Sequence, residues 1–323
     1  LLLVGLVLGG ALLAITQTSY GRSRIRRALI DAVTTAMQGR GTFYVGTLGG
    51  NLLTGLTLDS LRIADADDSV FVASGPVELH YDPRDLIDKR IRLSSIVLQR
   101  PVIHLRRHAD KQWNFQRIFP SGPNAPRSRE LRFGDYLVFS QLQIVDGTLV
   151  LTEPWDGADT LRGARRDSVV RAALAQTEHE IRRSKEGLTQ TRRFTHLRLD
   201  APSVELNDPD EPDKIVQLAR LDADISDPPF RLRNAAGPVR IRGDSVWLSI
   251  AHFDLPASTG ALSGKLWWGS DLPLRYDIKV VGDSVSLADV AWVHPTLPRT
   301  GGGSMTLTIR NESTNLHILD YAL

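Results

Sequence analysis

Hydrophobic and polar positions alternate with a period of two over most of the chain from residue 42 onward. That spacing sends successive side chains to opposite faces of a strand. The segments FYVGTL, LTLDSLRI, VFVA, VELHY and IRLSSIVLQRPVIHLRR make a first series, and YLVFSQLQIVDGTLVLTEP resumes it after a gap. THLRLDAPSVELN, IVQLARLDADIS, PVRIRGDSVWLSIAHFDLP, GALSGKLWWG, LRYDIKVVGDSVSL and GGSMTLTIRN carry the pattern toward the end. In LTLDSLRI, Leu56, Leu58, Leu61 and Ile63 hold one apolar face, and the extra residue between Leu58 and Leu61 predicts a bulge or register shift. Asp146-Gly147, set between two apolar runs, predicts a hairpin turn. Gly243-Asp244-Ser245 and Gly282-Asp283-Ser284 fall at comparable places, about forty residues apart, and predict turns of a weak internal repeat. Such a repeat is expected of a stacked β-structure rather than a closed barrel.

Three stretches break the alternation. Residues 1–15, LLLVGLVLGGALLAI, carry no charge. As a helix at about 1.5 Å per residue the run covers roughly 22 Å, short of the ~30 Å hydrocarbon core of a bilayer. The chain opens on Leu rather than Met and closes on LHILDYAL without a turn, cap or polar tail, so residues are expected on both sides of it. The run therefore reads as the C-terminal part of a spanning helix, anchored by Leu1, Leu2, Leu3, Val4, Leu6, Val7, Leu8, Leu12, Leu13 and Ile15. A cleaved signal peptide fits less well, because no small-x-small site follows and Arg22, Arg24, Arg26 and Arg27 come almost at once. The positive-inside rule alone would keep these arginines and the domain behind them in the cytoplasm, although long domains translocate largely regardless of flanking charge.

SRIRRALIDAVTTAMQG follows as an amphipathic helix, with Ile25, Leu29, Ala32, Val33 and Ala36 on one face and Gly39 and Gly41 to end it. Arg22, just before it, and Arg24, Arg26 and Arg27 are assigned to contact with anionic headgroups, beside the simpler reading of a helix packed on the sheet. The third stretch, TLRGARRDSVVRAALAQTEHEIRRSKE at 160–186, predicts a charged helix with a thin stripe of Val170, Leu174 and Ile181. YDPRDLIDK is helical or turn-like, and SGPNAPRSR is a loop. The expected organisation is a transmembrane helix at 1–20, a juxtamembrane helix at 21–41, a first β-segment at 42–157, a charged helical insertion at 158–190 and a second β-segment at 191–323. The class is mainly β: an elongated, coiled antiparallel sheet with one inserted helix.

Composition narrows the functions open to this fold. Of 323 residues 42% are hydrophobic and 24% charged, so the chain can bury a sizeable core. Basic and acidic residues balance, 39 against 37, which argues against a nucleic-acid partner. The absence of cysteine removes disulfides, thiol nucleophiles and cysteine metal sites. Eight histidines are spread singly, His104 and His108 in strand context and His179 on the charged helix, with no metal-ligand spacing. Acid pairs such as Asp222 and Asp224 fall in turns or on exposed strand positions. No G-x-S-x-G, P-loop or G-x-G-x-x-G motif occurs. No catalytic, metal or cofactor-binding residue is assigned, and a non-enzymatic role is expected. Trp113, Trp247, Trp267, Trp268 and Trp292 would be the stacking platforms of a glycan-binding domain. A long sheet that coils can instead enclose an apolar trough for lipid tails, with Leu56, Leu58, Leu61, Ile63 and Leu266 as lining.

The anchor, the short helix, VGTLGGNLLTGLTLDSLRI, VELHYDPRDLIDKRIRLSSIVLQRPVIHL and WNFQRIF together resemble the start of AsmA-like proteins, the TamB (translocation and assembly module) branch in particular. GALSGKLWWGSDLPLRYDIKVVGDSVSLADVAWVHPTLPRTGGGSMTL resembles that family's repeating unit, a strand pair followed by an L-x-D-[VL]-type segment and a glycine-rich return. The resemblance covers most of the chain and rests on pattern, and the helix at 160–186 interrupts the repeat. It implies an inner-membrane-anchored, single-pass protein with a taco-like β-groove in the periplasm, of which this chain is the membrane-proximal part. It implies lipid transfer between membranes or outer-membrane assembly, with membrane lipids, integral membrane proteins or an outer-membrane assembly factor as partners. A rival of another class is a structural accessory subunit whose helix packs into a large membrane complex, such as a photosynthetic reaction-centre and antenna assembly, while its β-domain caps the periplasmic side.

Overall fold

The computed structural model describes residues 23, 26–27, 30–31, 33–34, 37–51, 55–81, 92–110, 112–119, 138–155, 157–158, 160–176, 179–205, 213–267, 275–291, 298–313 and 316–322. Among these, twenty strands join in one sheet. The first eight are short: β1 (Gly41–Val45), β2 (Leu48–Asn51), β3 (Gly55–Leu58), β4 (Leu61–Asp65), β5 (Val70–Ser74), β6 (Val77–Tyr81), β7 (Arg92–Gln99) and β8 (Val102–Arg106). After helix α1 (Asn114–Ile118) come β9 (Val138–Pro154), helix α2 (Gly163–Ala175), β10 (Glu180–Ser184), β11 (Gly187–Ala201), β12 (Ser203–Glu205), β13 (Lys214–Leu218) and β14 (Arg220–Ser226). The rest comprises β15 (Pro229–Arg242), β16 (Ser245–Leu255), β17 (Ser258–Trp267), β18 (Arg275–Ser286), helix α3 (Leu287–Val290), β19 (Gly302–Ser313) and β20 (Leu316–Ala322).

Pairing shows that the short strands are halves of long ones. β1 and β2 run on either side of Gly46 and Thr47, and β4 and β3 face them around Asp59 and Ser60, with Val45 opposite Leu61 and Leu48 opposite Leu58. β5 and β6 pause at Gly75-Pro76, and β7 and β8 at Arg100-Pro101. Backbone hydrogen bonds carry the ladder through these pauses: Gly46 N to Ser60 O at 3.0 Å, Gly75 N to Gln99 O at 3.1 Å and Arg100 N to Val145 O at 2.8 Å. The pairing is antiparallel except where β7 and β8 lie parallel to β9, from Arg92 opposite Val138 to Arg106 opposite Thr152. A parallel neighbour needs a crossover, and it falls between β8 and β9, where α1 lies.

The pauses line up. Arg100, Asp146 and His196, on neighbouring long strands, and Asn234, two strands beyond His196, all have positive φ, between 48° and 55°. Register shifts recur beside them, between Phe194 and Leu199 in β11, Arg233 and Val239 in β15, Ile250 and Phe253 in β16, and Gly282 and Val285 in β18. A bulge bends its strand and raises its twist, so a row of bulges creases the whole sheet.

Four sequence expectations are corrected by this arrangement. Leu58 and Leu61 are separated by a strand break rather than a single-residue bulge: the Asp59 carboxylate takes the Thr47 amide at 2.7 Å, and hydrogen bonding by the Thr47 side chain foremost, with the Thr47 amide and Ser60, holds its pKa below the usual range against the effect of burial. Asp146-Gly147 is a bulge inside the continuous strand β9, because β7, β8 and β11 pair along its whole length. Gly282-Asp283-Ser284 likewise lies within β18, whereas Gly243-Asp244 is a turn, so the two are not equivalent repeats. The helix expected at 160–186 ends at Ala175, and residues 180–184 pair with 187–191 as the hairpin of β10 and β11. The two expected β-segments are thereby joined into one sheet through β9 and β11.

The described residues of 23–37 are helical, and Ile30 packs on a cluster of Val45, Leu48, Leu58 and Val77. Met37 is fully buried, and Gln38 and Gly39, with φ of 51° and 73°, end the helix. At the other end, α3 closes over Val285, Met305 and Leu307, with Val290 buried. Asp289 of α3 accepts from Ala257 N at 2.8 Å and Ser258 Oγ at 2.7 Å, fixing the β16–β17 turn against it.

Candidate functional site

Following the register from strand to strand gives three transverse rows of apolar side chains. The first runs Phe43, Ile63, Val72, Ile103, Leu149, Phe194, Ile225, Phe230 across β1, β4, β5, β8, β9, β11, β14 and β15. The second, beyond the crease, runs Leu48, Leu58, Val77, Leu98, Ile144, Leu199, Leu221. The third runs Val204, Val216, Val239, Leu248, Gly264, Ile278, Ile309. No row contains a charged residue. The clusters that join Phe43 to Leu48 and Leu221 to Val239 place all three on one face. At 4.7–4.9 Å between strands, an eight-strand row is roughly 33 Å long.

Burial distinguishes the ends from the middle. Leu48, Leu58 and Val77 are buried near the helix at 23–37, whereas every member of the first row is only half-buried. That row ends at an open cleft of about 400 Å³ lined by Ile225, Phe230, Leu255 and Pro256 and bordered by Asp289. Half-burial of a whole apolar row is unusual for a sheet face that serves only as core.

Polar side chains also stand on the apolar face. Tyr276 of β18 stands on it, two residues from Ile278, and Arg192 of β11 stands on it, two residues from Phe194. Five strand steps separate β11 from β18, roughly 24 Å if the sheet were flat. Yet Tyr276 feels the charges of Arg192 and Glu153; burial raises its phenol pKa, the Arg192 charge lowers it and the Glu153 charge raises it. These three groups are therefore nearer to one another than the flat-sheet separation. Arg192 is held there by Glu153 at 3.0 Å, and the buried Asp227 accepts from Gln190 at 2.8 Å and faces His179 Nδ1 at 2.9 Å. A polar rim thus borders the apolar floor at β9–β11.

The opposite face is charged and carries the crossover. Phe71, Phe115 and Phe119 stack around α1, whose Ile118 is fully buried. Glu186, in the β10–β11 turn, faces His108 Nδ1 at 3.0 Å and accepts from Ala109 N at 3.3 Å. The His108 hydrogen bond, opposed by burial, holds the Glu186 pKa below its ordinary value. His104 has its pKa lowered by burial and by the nearby Arg193 charge.

The sequence-assigned site residues fall as follows. Leu56, Leu61 and Ile63 are half-buried on the apolar face, and so is Leu266, opposite Val246 and Tyr276. Leu58 differs: at 1% exposure it belongs to the packed end and lines no open surface. Arg26 differs too, since its guanidinium donates to the Val45 and Gly46 carbonyls at 2.6–3.0 Å and so ties the helix to the crease instead of reaching outward. Arg27 is exposed. Residues 1–15, Arg22, Arg24, YDPRDLIDK, SGPNAPRSR, Trp268 and Trp292 lie outside the described residues. Among the described residues no helix is long and apolar enough to cross a membrane.

Sequence reasoning missed Val72, Ile103, Leu149, Phe194 and Ile225 as one row, because the parallel step beside β9 cannot be read from hairpin turns. It also missed four histidine–carboxylate pairs: His108 with Glu186, His179 with Asp227, His196 with Asp224 and His252 with Asp254, at 2.9–3.1 Å. Asp222 is buried rather than exposed. No group of three or more potential ligands able to hold a metal occurs among the described residues.

A scan of the chain against protein-family models matches none, and a search of curated proteins finds no relative.

Proposed function

We propose that the chain is an inner-membrane-anchored protein of the cell envelope that carries lipid acyl chains along the apolar face of its creased sheet. The observation that carries this reading is the first transverse row, eight apolar side chains that remain half-buried on one face of the sheet. Two walls meeting at a crease make a taco-like trough, apolar along its floor and polar at the rim of Arg192, Glu153 and Tyr276. Each methylene withdrawn from water there contributes about 0.8 kcal/mol, and a headgroup can stay hydrated at the rim. Residues 1–15 hold one end of the trough at the membrane, with the sheet in the periplasm, where lipids pass onward between membranes or toward an assembly factor.

The test is lipid carried through purification. Full chain extracted from membranes should yield phospholipid by mass spectrometry, and Ile103→Asp should reduce that yield at least about fivefold, a free-energy change of about 1 kcal/mol. Tyr44→Asp, on the opposite face, should leave it unchanged. Equal lipid in wild type and Ile103→Asp, with both folded by circular dichroism, would overturn the reading. Lipid-free protein held in stoichiometric complex with other membrane proteins would replace it with the accessory-subunit role.

A further inference from the structure

The charged face of β13 and β15–β18 carries a second arrangement, independent of the apolar trough. Arg240, Trp247 and Lys265 are direct register partners on three adjacent strands. The Arg240 guanidinium lies 4.6 Å from the Trp247 ring centroid and the Lys265 ammonium 4.9 Å from it, and Lys265 is also 5.1 Å from the Trp267 ring. Lys279 stands opposite Ser263, one register step from Lys265. Together these groups border an open concavity of about 600 Å³ with Gln217, Ser249 and Ser263 in its lining.

We propose that this concavity binds an acidic glycan. The aromatic ring holds two long cationic side chains in place, so less side-chain entropy is lost when an anion arrives. Arg240 and Lys265 come from strands on either side of the ring and are two strand steps apart, roughly 9.6 Å, a separation suited to carboxylates recurring along a linear polymer. The neutral hydroxyls and amide of Ser249, Ser263 and Gln217 match sugar hydroxyls. Three cations against the single carboxylate of Asp277 leave the concavity positive; Asp213, 3.7 Å from Arg240, is shared with Arg242.

Other ligands fit less well. Trp247 is approached by cations from both sides, so it is not the bare stacking platform that a neutral sugar or an unpaired base needs. A planar headgroup layer cannot enter a recess whose hydrogen-bonding groups lie in its lining. Binding is electrostatic and falls with salt.

The experiment titrates the full chain with an oligogalacturonide and, separately, with a neutral chito-oligosaccharide, following Trp fluorescence and calorimetry. The oligogalacturonide is expected to bind, with Kd rising about tenfold in Lys265→Gln/Lys279→Gln, while Lys185→Gln, in the exposed β10–β11 turn, leaves it unchanged. The neutral sugar is expected not to bind. Failure of the oligogalacturonide to bind, equal binding of both sugars, or binding indifferent to the double substitution would each overturn the proposal. Binding to anionic phospholipid vesicles in place of the oligogalacturonide would also overturn it and identify a bilayer-docking face.

Discussion

The Asp222 carboxylate, 5% exposed on β14, accepts from Arg220 Nε at 2.9 and 3.1 Å and from the Asn234 amide at 2.9 Å. Asn234 is the positive-φ residue that creases β15, so this carboxylate fixes a bulge. Burial raises the Asp222 pKa, but the Arg220 and Asn234 hydrogen bonds and the Arg220 and Arg233 charges outweigh it and leave the group below the usual carboxylate range. A carboxyl with a lower pKa folded than unfolded stabilises above its unfolded pKa and loses that contribution as pH falls through the folded value. Urea unfolding followed from about pH 5 downward should therefore show falling stability. Asp222→Asn should cost about 1–3 kcal/mol at neutral pH and flatten that decline; an unaltered pH profile would show that the ionised form matters little. Gly237, at φ 146°, is the other residue-scale constraint, because a Cβ there would overlap the Ser249 carbonyl oxygen. Gly237→Ala should lower stability by about 2 kcal/mol or more in the same assay. Neither residue stands out in the alternation: Asp222 looks like any solvent-side strand acid, and only the neighbouring strand's bulge explains its burial.

Among elements, α1 depends on one side chain. Asn114, 4% exposed, donates to His104 O at 2.6 Å and accepts from Arg106 N at 3.2 Å and Phe115 N at 3.0 Å. It completes the backbone pairing of β8 beyond the last register pair with β5, Val72 with Ile103. Asn114→Ala should cost about 2–3 kcal/mol in a thermal melt, since it strands two buried backbone groups. Asn114→Asp should cost at least as much, because a carboxylate oxygen would face the His104 carbonyl oxygen where the amide now donates. Most strands were legible from period-two alternation because each has one apolar face. The hairpin of β10 and β11 was not, because EHEIRRSKE has helical composition and the pairing of Ile181 with Gln190 overrides it. Asp146-Gly147 has turn chemistry, yet partners on both sides of β9 keep the chain paired through it and absorb the dipeptide as a bulge.

At the scale of the whole molecule, mainly-β architecture followed from sequence, but the face that matters did not. Leu56, Leu61, Ile63 and Leu266 were identified strand by strand, whereas the row through Ile103, Leu149 and Phe194 exists only once the parallel step and the aligned bulges set the register. That row crosses both β-segments, so it is a property of the joined sheet rather than of a repeat unit. The outer face offers a built-in control, because Tyr44 at 54% exposure and Val281 at 38% are its large exposed apolar residues among those described.

Site-specific photo-crosslinking in native membranes therefore bears most directly on the trough. With p-benzoylphenylalanine placed singly at Ile103, Phe194, Ile278, Tyr44 or Val281, irradiation should attach phospholipid at the first three positions and not at the last two. Equal lipid labelling of both faces, or labelling at Tyr44 and Val281 alone, would contradict an acyl-chain path along the apolar face.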